Sequence, residues 1–535
     1  MNMEKVWKKH YPDHLKSEIE IPELATTDML QQTIKKFGDH KAIHFYGREM
    51  TYKELGKQAE AFASRLQEDG VSKGDRVALM LPNCPQYVIS YYGILQAGGT
   101  VTQVNPMLVG GELEYILNDS GAKTIVIYKP LLPVLNQIID QTDVEKVIQV
   151  SLGDETTEDD LAVEFTDYIK QASNPPNPVG IDPEEDIAVL QYTGGTTGRS
   201  KGAMLTHRNI VTNTIQAYEF FKDEIEIGNE RSLTVIPLFH VFGMTSGMNL
   251  SVYTAAMNII LPKFEIEEVL QTIKNLKPTS FPGVPTMYVA LNSHPKAEEY
   301  GLDSIKICNS GSAPMPGELM RSFEAKTGAK ILEGYGLTEA SPTTHCNPMF
   351  SKRKPGSIGI GVPSTDYKVV DLSDGTTEVP YGETGELIIK GPQVMKGYWN
   401  MPEETADTLR DGWLYTGDLA RMDEDGYAYI VDRKKDMIIA SGYNVYPRDV
   451  EEVLYEHPAV QEAVVVGVPD EYRGETVKAV LVLNEGQSTT EEEIIAYCRE
   501  HLAAYKIPRM VDFREELPKT NVGKILRRKV REEMA

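Results

Sequence analysis

Apolar and polar positions over residues 27–150 group into alternating helical and extended runs. "TYKELGKQAEAFASRLQEDG" opens on a capping box, Thr51 with Glu54 three residues on, and stops at Gly70, which predicts a helix. "RVALML" and "KTIVIY" are short continuous apolar runs that predict buried strands, and "QYVISYYGILQAGG" between them predicts a helix. This alternation implies an α/β layer around a largely parallel sheet. The stretch "SNPPNPVGIDPEED" (173–186), with four prolines and several acids, predicts a loop or linker. After it, "IAVLQYT" predicts a strand that runs straight into a glycine-rich loop, with a helix expected from about Thr206. Strands and helices alternate to about residue 340.

From about 356 to 434 the texture changes. "YKVVDL", "GELIIKG" and "AYIVD" sit between Gly and Asp turns and predict a small antiparallel, barrel-like β unit. Beyond it, "RDVEEVLYEHP" and "TEEEIIAYCREHL" predict helices, and "VQEAVVVGVP" and "TVKAVLVLN" predict strands. The expected class is α/β: a large N-terminal domain over residues 1–434, with α/β subdomains to about 355, then a small α+β C-terminal domain over 435–535.

The chain has 535 residues, enough to bury a large core without covalent staples. Its net charge of −25 argues against nucleic acid as a partner, because phosphate backbones are held by clustered Lys and Arg. A small anionic ligand needs only a local cationic pocket and stays open. Cys84, Cys308, Cys346 and Cys498 lie far apart, with no zinc spacing and no disulfide framework, which fits a reduced cytoplasmic compartment. The N-terminal residues lack the apolar run of a secretory signal, and no apolar stretch approaches the ~18–20 residues of a membrane span. Peripheral membrane contact and a homodimer stay open.

The chemistry concentrates in "YTGGTTGRSKG" (192–202). Glycines let backbone N–H groups approach a ligand closely, and hydroxyls and a lysine add donors, so the loop reads as a phosphate cradle between a strand and a helix. Neither the Walker A spacing nor G-x-G-x-x-G is present. "GRSKG" does satisfy G-x-S-x-G, so a hydrolase nucleophile at Ser200 is a rival reading, as is a purely structural loop.

"YTGGTTGRSKGAMLTHRN" closely resembles the signature loop of the adenylate-forming enzymes: acyl-CoA synthetases, luciferases and peptide-synthetase adenylation domains. "PLFHVFG" (237–243), "GYGLTE" (334–339), "GELIIKGPQVMKGYW" (385–399), "WLYTGDLA" (413–420), "DRKKDMIIASGYNVYP" (432–447) and "PKTNVGKILRR" (518–528) follow in the family's order. The resemblance covers nearly the whole chain, and its details look most like bacterial long-chain fatty-acid–CoA ligases. It implies ATP, Mg²⁺ and CoA as cofactor and cosubstrates.

By resemblance, Thr193, Gly194, Gly195, Thr196, Thr197 and Lys201 hold the β- and γ-phosphates. Glu339 ligates Mg²⁺ and Thr338 donates to phosphate. Gly311, Ser312, Ala313 and Gly334 line the adenine site, and Tyr335 stacks on the base. Asp418 accepts from the ribose hydroxyls, with Arg433 as a second ribose or phosphate contact. Lys524 bridges the carboxylate and the α-phosphate. His240 lies near the carboxylate and the thiol entrance. Lys435 is the hinge of a mobile C-terminal lid, and Gly442 borders a pantetheine channel. Seen one at a time, these residues have ordinary readings: an Asp in a turn and an Arg after a strand are usually solvated surface, and Tyr335 alone reads as core.

"HVFGMTSGMNL" and "FPGVPTMY" are expected to line an acyl site. There Gly243, Ser246, Gly247 and Gly283 leave volume, and Phe242, Met244 and Met248 form apolar walls. This favours a medium or long fatty acid. A cinnamate-type aryl acid would fit a similar cavity, and a non-catalytic nucleotide or acyl binder is a further alternative.

Overall fold

Thr51 caps the helix Tyr52–Glu68 as its sequence requires. Its hydroxyl accepts the Glu54 N–H at 3.2 Å, and the Glu54 carboxylate accepts the Thr51 N–H at 2.8 Å. The apolar stripe of this helix, including Leu55, Phe62 and Leu66, packs in one core with the nearly all-apolar helix Pro85–Gln96. Residues from two different sheets join that core: Leu79 and Val101 from one, Ile43 and Ile260 from the other. In this computed structural model the described residues are 5–534, apart from 13, 154–161, 194–199, 314, 316, 350, 441–442, 471–473 and 521–524.

The chain divides into two compact units. The larger comprises Trp7–Asp366 and Lys390–Leu414. Its eight-stranded sheet runs Gly397–Tyr398, Lys201–Thr206, Ile187–Thr193, Thr100–Gln103, Arg76–Met80, Thr124–Tyr128, Lys146–Val150, Ala162–Glu164. The six strands from Ile187–Thr193 onward are parallel, and the first two are antiparallel additions.

A second, nine-stranded sheet has a parallel centre made of Lys330–Gly336, Ile307–Ser310, Ser280–Gly283, Arg231–Thr234, Met257–Ile260 and Lys41–Phe45. Its two faces differ in chemistry. Leu233, Ile259, Phe281, Cys308 and Ile331 pack in one apolar core with Val269, Leu270, Tyr288, Leu291, Met320 and Phe323 of three helices. Side chains alternate across a strand, so Ser232, Thr234, Asn258, Ser280 and Asn309 belong to the opposite face. There, Thr234 lies against Gly247, and Asn258 Nδ2 donates to the Gly247 carbonyl at 3.1 Å. Gly243–Asn249 forms a π-helix, a wide turn that is uncommon and concentrates at functional sites.

The other unit contains Tyr367–Ile389 and Tyr415–Ala535. Asp366–Val370, Gly385–Lys390, Trp413–Met422 and Ala428–Arg433 belong to one sheet, so most of the expected small β unit clusters with the C-terminal residues. The C-terminal sheet pairs Val460–Asp470 with Gly474–Leu483 antiparallel, and its helices Pro447–Tyr455 and Glu491–His501 complete an α+β layer around Val450, Leu454, Val465, Leu481 and Ile494. Burial raises the Asp432 carboxyl to about 6, although Arg527 beside it opposes the shift.

Two buried histidines link the fold to pH. His207 is 2 % exposed, and its Nδ1 accepts the Thr26 N–H at 3.2 Å, so the ring must stay neutral there. Burial lowers its pKa to about 4, with Asp186 opposing and Lys73 assisting, and burial lowers His345 to about 3. Unfolded histidine titrates near ~6.5. Both folded values lie below that, so the unfolded chain binds protons first as pH falls. The stability is present above about pH 6.5 and is lost at about 1.4 kcal/mol per pH unit per histidine as pH drops toward 4. A His207→Gln variant, whose amide oxygen keeps an acceptor, is expected to lose less stability between about pH 7 and about pH 5 than the parent. Urea midpoints at the two pH values check this.

Candidate active site

The glycine-rich segment joins two antiparallel strands rather than a strand and a helix. Ile187–Thr193 pairs with Lys201–Thr206, with Thr193 opposite Lys201, and the helix His207–Phe221 begins only after the second strand. The helix expected from about Thr206 is present, but the loop does not lead directly into it: "KGAMLT" is the second strand of a hairpin, with Gly397–Tyr398 paired to its outer edge. Ser200 lies directly before a strand, so the strand-to-helix turn of a nucleophile elbow is absent. Gly194, Gly195, Thr196 and Thr197 lie outside the described residues.

Both feet of the hairpin loop are tied to the helix Gly110–Ser120. Tyr115 donates its hydroxyl to the Ser200 carbonyl at 3.1 Å, and Tyr192 donates to Asp119 Oδ2 at 2.6 Å. Trp399 Nε1 donates to the Asp119 carbonyl at 2.9 Å. Gly202 has to be small: an added Cβ would lie 3.1 Å from the Tyr192 ring.

Lys201 and Glu339 meet around one tyrosine. Tyr398 donates its hydroxyl to Glu339 Oε1 at 2.7 Å, and the Lys201 ammonium lies 5.1 Å from the Tyr398 ring centroid. The Glu339 carbonyl also accepts the Met395 N–H at 2.8 Å, so backbone and side chain are both fixed. Burial, reinforced by Glu339, raises the Tyr398 phenol far above its ordinary range, so it remains a donor. Thr338 and Glu339 share a single 3₁₀ turn directly after Lys330–Gly336, the strand that carries Gly334 and Tyr335. Tyr398 was not singled out as a site residue from the sequence. Its signal was the motif "GPQVMKGYW", whose tyrosine only the strand pairing brings to Glu339.

Gly311, Ser312 and Ala313 follow the C-terminal end of Ile307–Ser310, next to Lys330–Gly336, at the edge where parallel sheets bind ligands. Ser312 has φ +68°, and the Phe242 ring rests against Gly311, 3.4 Å from where a Cβ would stand. His240 is half-buried, and its Nδ1 accepts the Phe242 N–H at 3.2 Å, which orients the ring. Among the described residues no three His, Cys, Asp or Glu side chains converge on a metal position. A Mg²⁺ held by one carboxylate and the substrate's phosphates suits this donor set.

The small residues expected to leave acyl volume mostly serve close packing. A Cβ on Gly243 would meet the Pro237 carbonyl at 2.1 Å, on Gly247 the Thr234 side chain at 2.9 Å, and on Gly283 the Tyr288 ring at 3.2 Å. Met244 and Met248 are buried in the core shared by the two sheets. Ser246 does line a small cavity of about 50 Å³, partly open to solvent, with Ala217, Phe221, Leu250, Pro282 and Ile307.

Asp418 and Arg433 belong to the other unit. They face each other across paired strands, with Arg433 Nε 3.1 Å from Asp418 Oδ1, and Asp418 is 5 % exposed while Arg433 is exposed. Lys435 is exposed, and its pKa is lowered to about 8 by the surrounding protein and by Arg433. Gly442 and Lys524 lie outside the described residues.

Comparisons with known proteins agree with this set of motifs. The AMP-binding enzyme family matches residues 30–399, and the AMP-binding enzyme C-terminal domain matches residues 449–524. A long-chain-fatty-acid–CoA ligase of Bacillus subtilis (strain 168) is 48 % identical, covering 100 % of this chain and 99 % of the relative. The enzyme of the same name from Escherichia coli O6:H1 is 41 % identical over 99 % and 98 %. Among solved structures, an anthranilate CoA ligase in complex with anthranoyl-AMP superposes with a TM-score of 0.88 at 30 % identity, covering 96 % of this chain and 98 % of that one.

Proposed function

The chain belongs to the AMP-binding enzyme family and joins a fatty acid to CoA at the expense of ATP through an acyl-adenylate, and on that premise we propose how its residues divide the work. The carboxylate oxygen of the fatty acid attacks the α-phosphorus, and the bond to the β-phosphate breaks to release pyrophosphate. The CoA thiol then loses its proton, its sulfur attacks the acyl carbon, and AMP leaves. Neither step asks for unusual covalent chemistry from the protein, so positioning and charge stabilisation carry the rate.

The observation that carries the assignment is the Lys201–Tyr398–Glu339 group beside the glycine-rich hairpin. Lys201, with Thr193 and the residues 194–197, serves the β- and γ-phosphates. Glu339 holds Mg²⁺, which neutralises phosphate charge when bound, and Thr338 donates to a phosphate oxygen. Tyr398 keeps the Glu339 carboxylate from turning away. Gly311, Ser312, Ala313, Gly334 and Tyr335 take the adenine, and His240 positions the carboxylate. Asp418 takes the ribose hydroxyls, and its neighbour Arg433 is a second ribose or phosphate contact. Lys524 serves adenylation from a C-terminal lid that hinges at Lys435, and Gly442 borders the path of the thiol.

The cavity lined by Ser246 receives the acyl chain, and its largely apolar lining, with Ala217, Phe221 and Leu250, supports an alkyl chain. No helix among the described residues is long and apolar enough to cross a membrane. The four buried free cysteines support a reduced, cytoplasmic site of action.

A panel of carboxylic acids scored by AMP and pyrophosphate release, with and without CoA, tests this reading. Fatty acids are expected to turn over faster than aryl acids, and Ser246→Trp is expected to shift the preferred chain to a shorter one. Failure of every acid to yield AMP would sink the assignment.

A further inference from the structure

A buried parallel sheet normally presents apolar side chains on both faces. The nine-stranded sheet departs from this on one face, part of which lies under the acyl cavity. Its far face is Leu233, Phe281 and Cys308, while its cavity face carries Ser232, Ser280 and Asn309. Strand register orders these by depth. Pro282 and Asn309 are paired in one layer, below Gly311, and Ser280 pairs with both Ser232 and Ile307 in the next. Two residues along a strand are about 6.6 Å, so the second layer lies several chain carbons deeper than the first.

The deep end holds a hydroxyl and, two residues further along the same segment, a carboxylate. Ser232 is 4 % exposed, lines the cavity, and its Oγ has no hydrogen-bond partner among the described residues. By contrast, the neighbouring Ser251 and Thr254 hydroxyls are already committed to the Gly247 and Leu250 carbonyls at 2.6 and 2.7 Å. Glu230, two residues before Ser232 and directly ahead of the same strand, is 8 % exposed and also lines the cavity. Its carboxylate accepts the Glu226 N–H at 2.8 Å and the Thr279 hydroxyl, which leaves acceptor capacity on both oxygens. A plain alkyl chain laid over this floor would leave a buried hydroxyl unpaired, which is unfavourable.

We propose that the deep end of the acyl cavity selects fatty acids that carry a hydroxyl group along the chain, with Ser232 Oγ and the Glu230 carboxylate as its hydrogen-bonding partners. The substrate hydroxyl donates to Glu230 and accepts from Ser232, so both protein groups are satisfied at once. This rests on the cavity being the acyl site. The apolar remainder of the lining, Ala217, Phe221 and Leu250, accommodates the rest of the chain.

The test compares kcat/KM for a saturated fatty acid with that for chains of equal length whose hydroxyl is moved one carbon at a time, read by pyrophosphate release. The wild-type protein is expected to favour one hydroxyl position, and Ser232→Val is expected to lower that hydroxy-to-plain ratio about tenfold while keeping turnover of the plain acid. Should the valine variant not fold, Ser232→Ala reads the same ratio. A flat positional profile, an unchanged ratio in the variant, or a preference for an amine-bearing chain overturns the proposal. The reading of the cavity itself is scored separately by Ser246→Trp: if that substitution shortens the accepted chain while the ratio at Ser232 stays flat, the acyl site stands and the hydroxyl selectivity falls. If it leaves chain length unchanged, the acyl-site reading fails and this proposal falls with it.

Discussion

Glu339→Gln is expected to lower acyl-adenylate formation by about 10²-fold or more and to raise the Mg²⁺ concentration needed for half-maximal rate. The amide keeps the shape and can still accept from Tyr398, so the change isolates the charge. A carboxylate is the protein's contribution to a hard cation, and among the described residues no three His, Cys, Asp or Glu side chains converge to hold the ion without it. Tyr398→Phe should act in the same direction but more weakly, by about tenfold, since it removes one hydrogen bond to a charged group and leaves the group in place. Initial rates of pyrophosphate release against Mg²⁺ concentration measure both. If Glu339→Gln leaves the Mg²⁺ dependence unmoved, Glu339 is not the ligand and its contact with Tyr398 is only structural.

Lys524→Ala separates the two half-reactions. Loss of a group that stabilises developing charge costs about 2.7–4 kcal/mol in the barrier, or about 10²–10³ in rate. That loss is expected in adenylation alone. Thioester formation from supplied acyl-adenylate and CoA should keep most of its rate, because a lid that serves two steps presents different residues in each. Lys524 lies outside the described residues, so this expectation rests on "TNVGKILRR" and on family membership. Equal loss in both half-reactions would remove Lys524 from its assigned role.

Much of this protein was legible before any coordinates. The capping box at Thr51 set a helix start through contacts three residues apart, which a sequence displays directly, and the helix expected from about Thr206 begins at His207. The continuous apolar runs "RVALML", "KTIVIY" and "IAVLQYT" are strands because they are buried on both faces, and each lies in the eight-stranded sheet. The compact motifs were legible for the same reason: Thr338 and Glu339 share one turn, and Asp418 lies inside "YTGDLA".

What the chain alone determined, then, is whatever depends on neighbours a few residues apart: where helices begin, which runs are strands, and which family motifs the chain carries. Only the tertiary structure decided that "KGAMLT" is the second strand of a hairpin, since its outer partner lies at 397–398. It also decided that Tyr398 meets Glu339, and that Gly243 and Gly247 are small to admit Pro237 and Thr234 rather than a ligand. Ser232 and Ser280 sit in short strands whose alternation looks like ordinary half-polar sheet. They come to line one cavity only because residues of helix His207–Phe221 and of the π-helix lie over that face, and burial of that kind is a property of packing between distant segments, which no local pattern encodes.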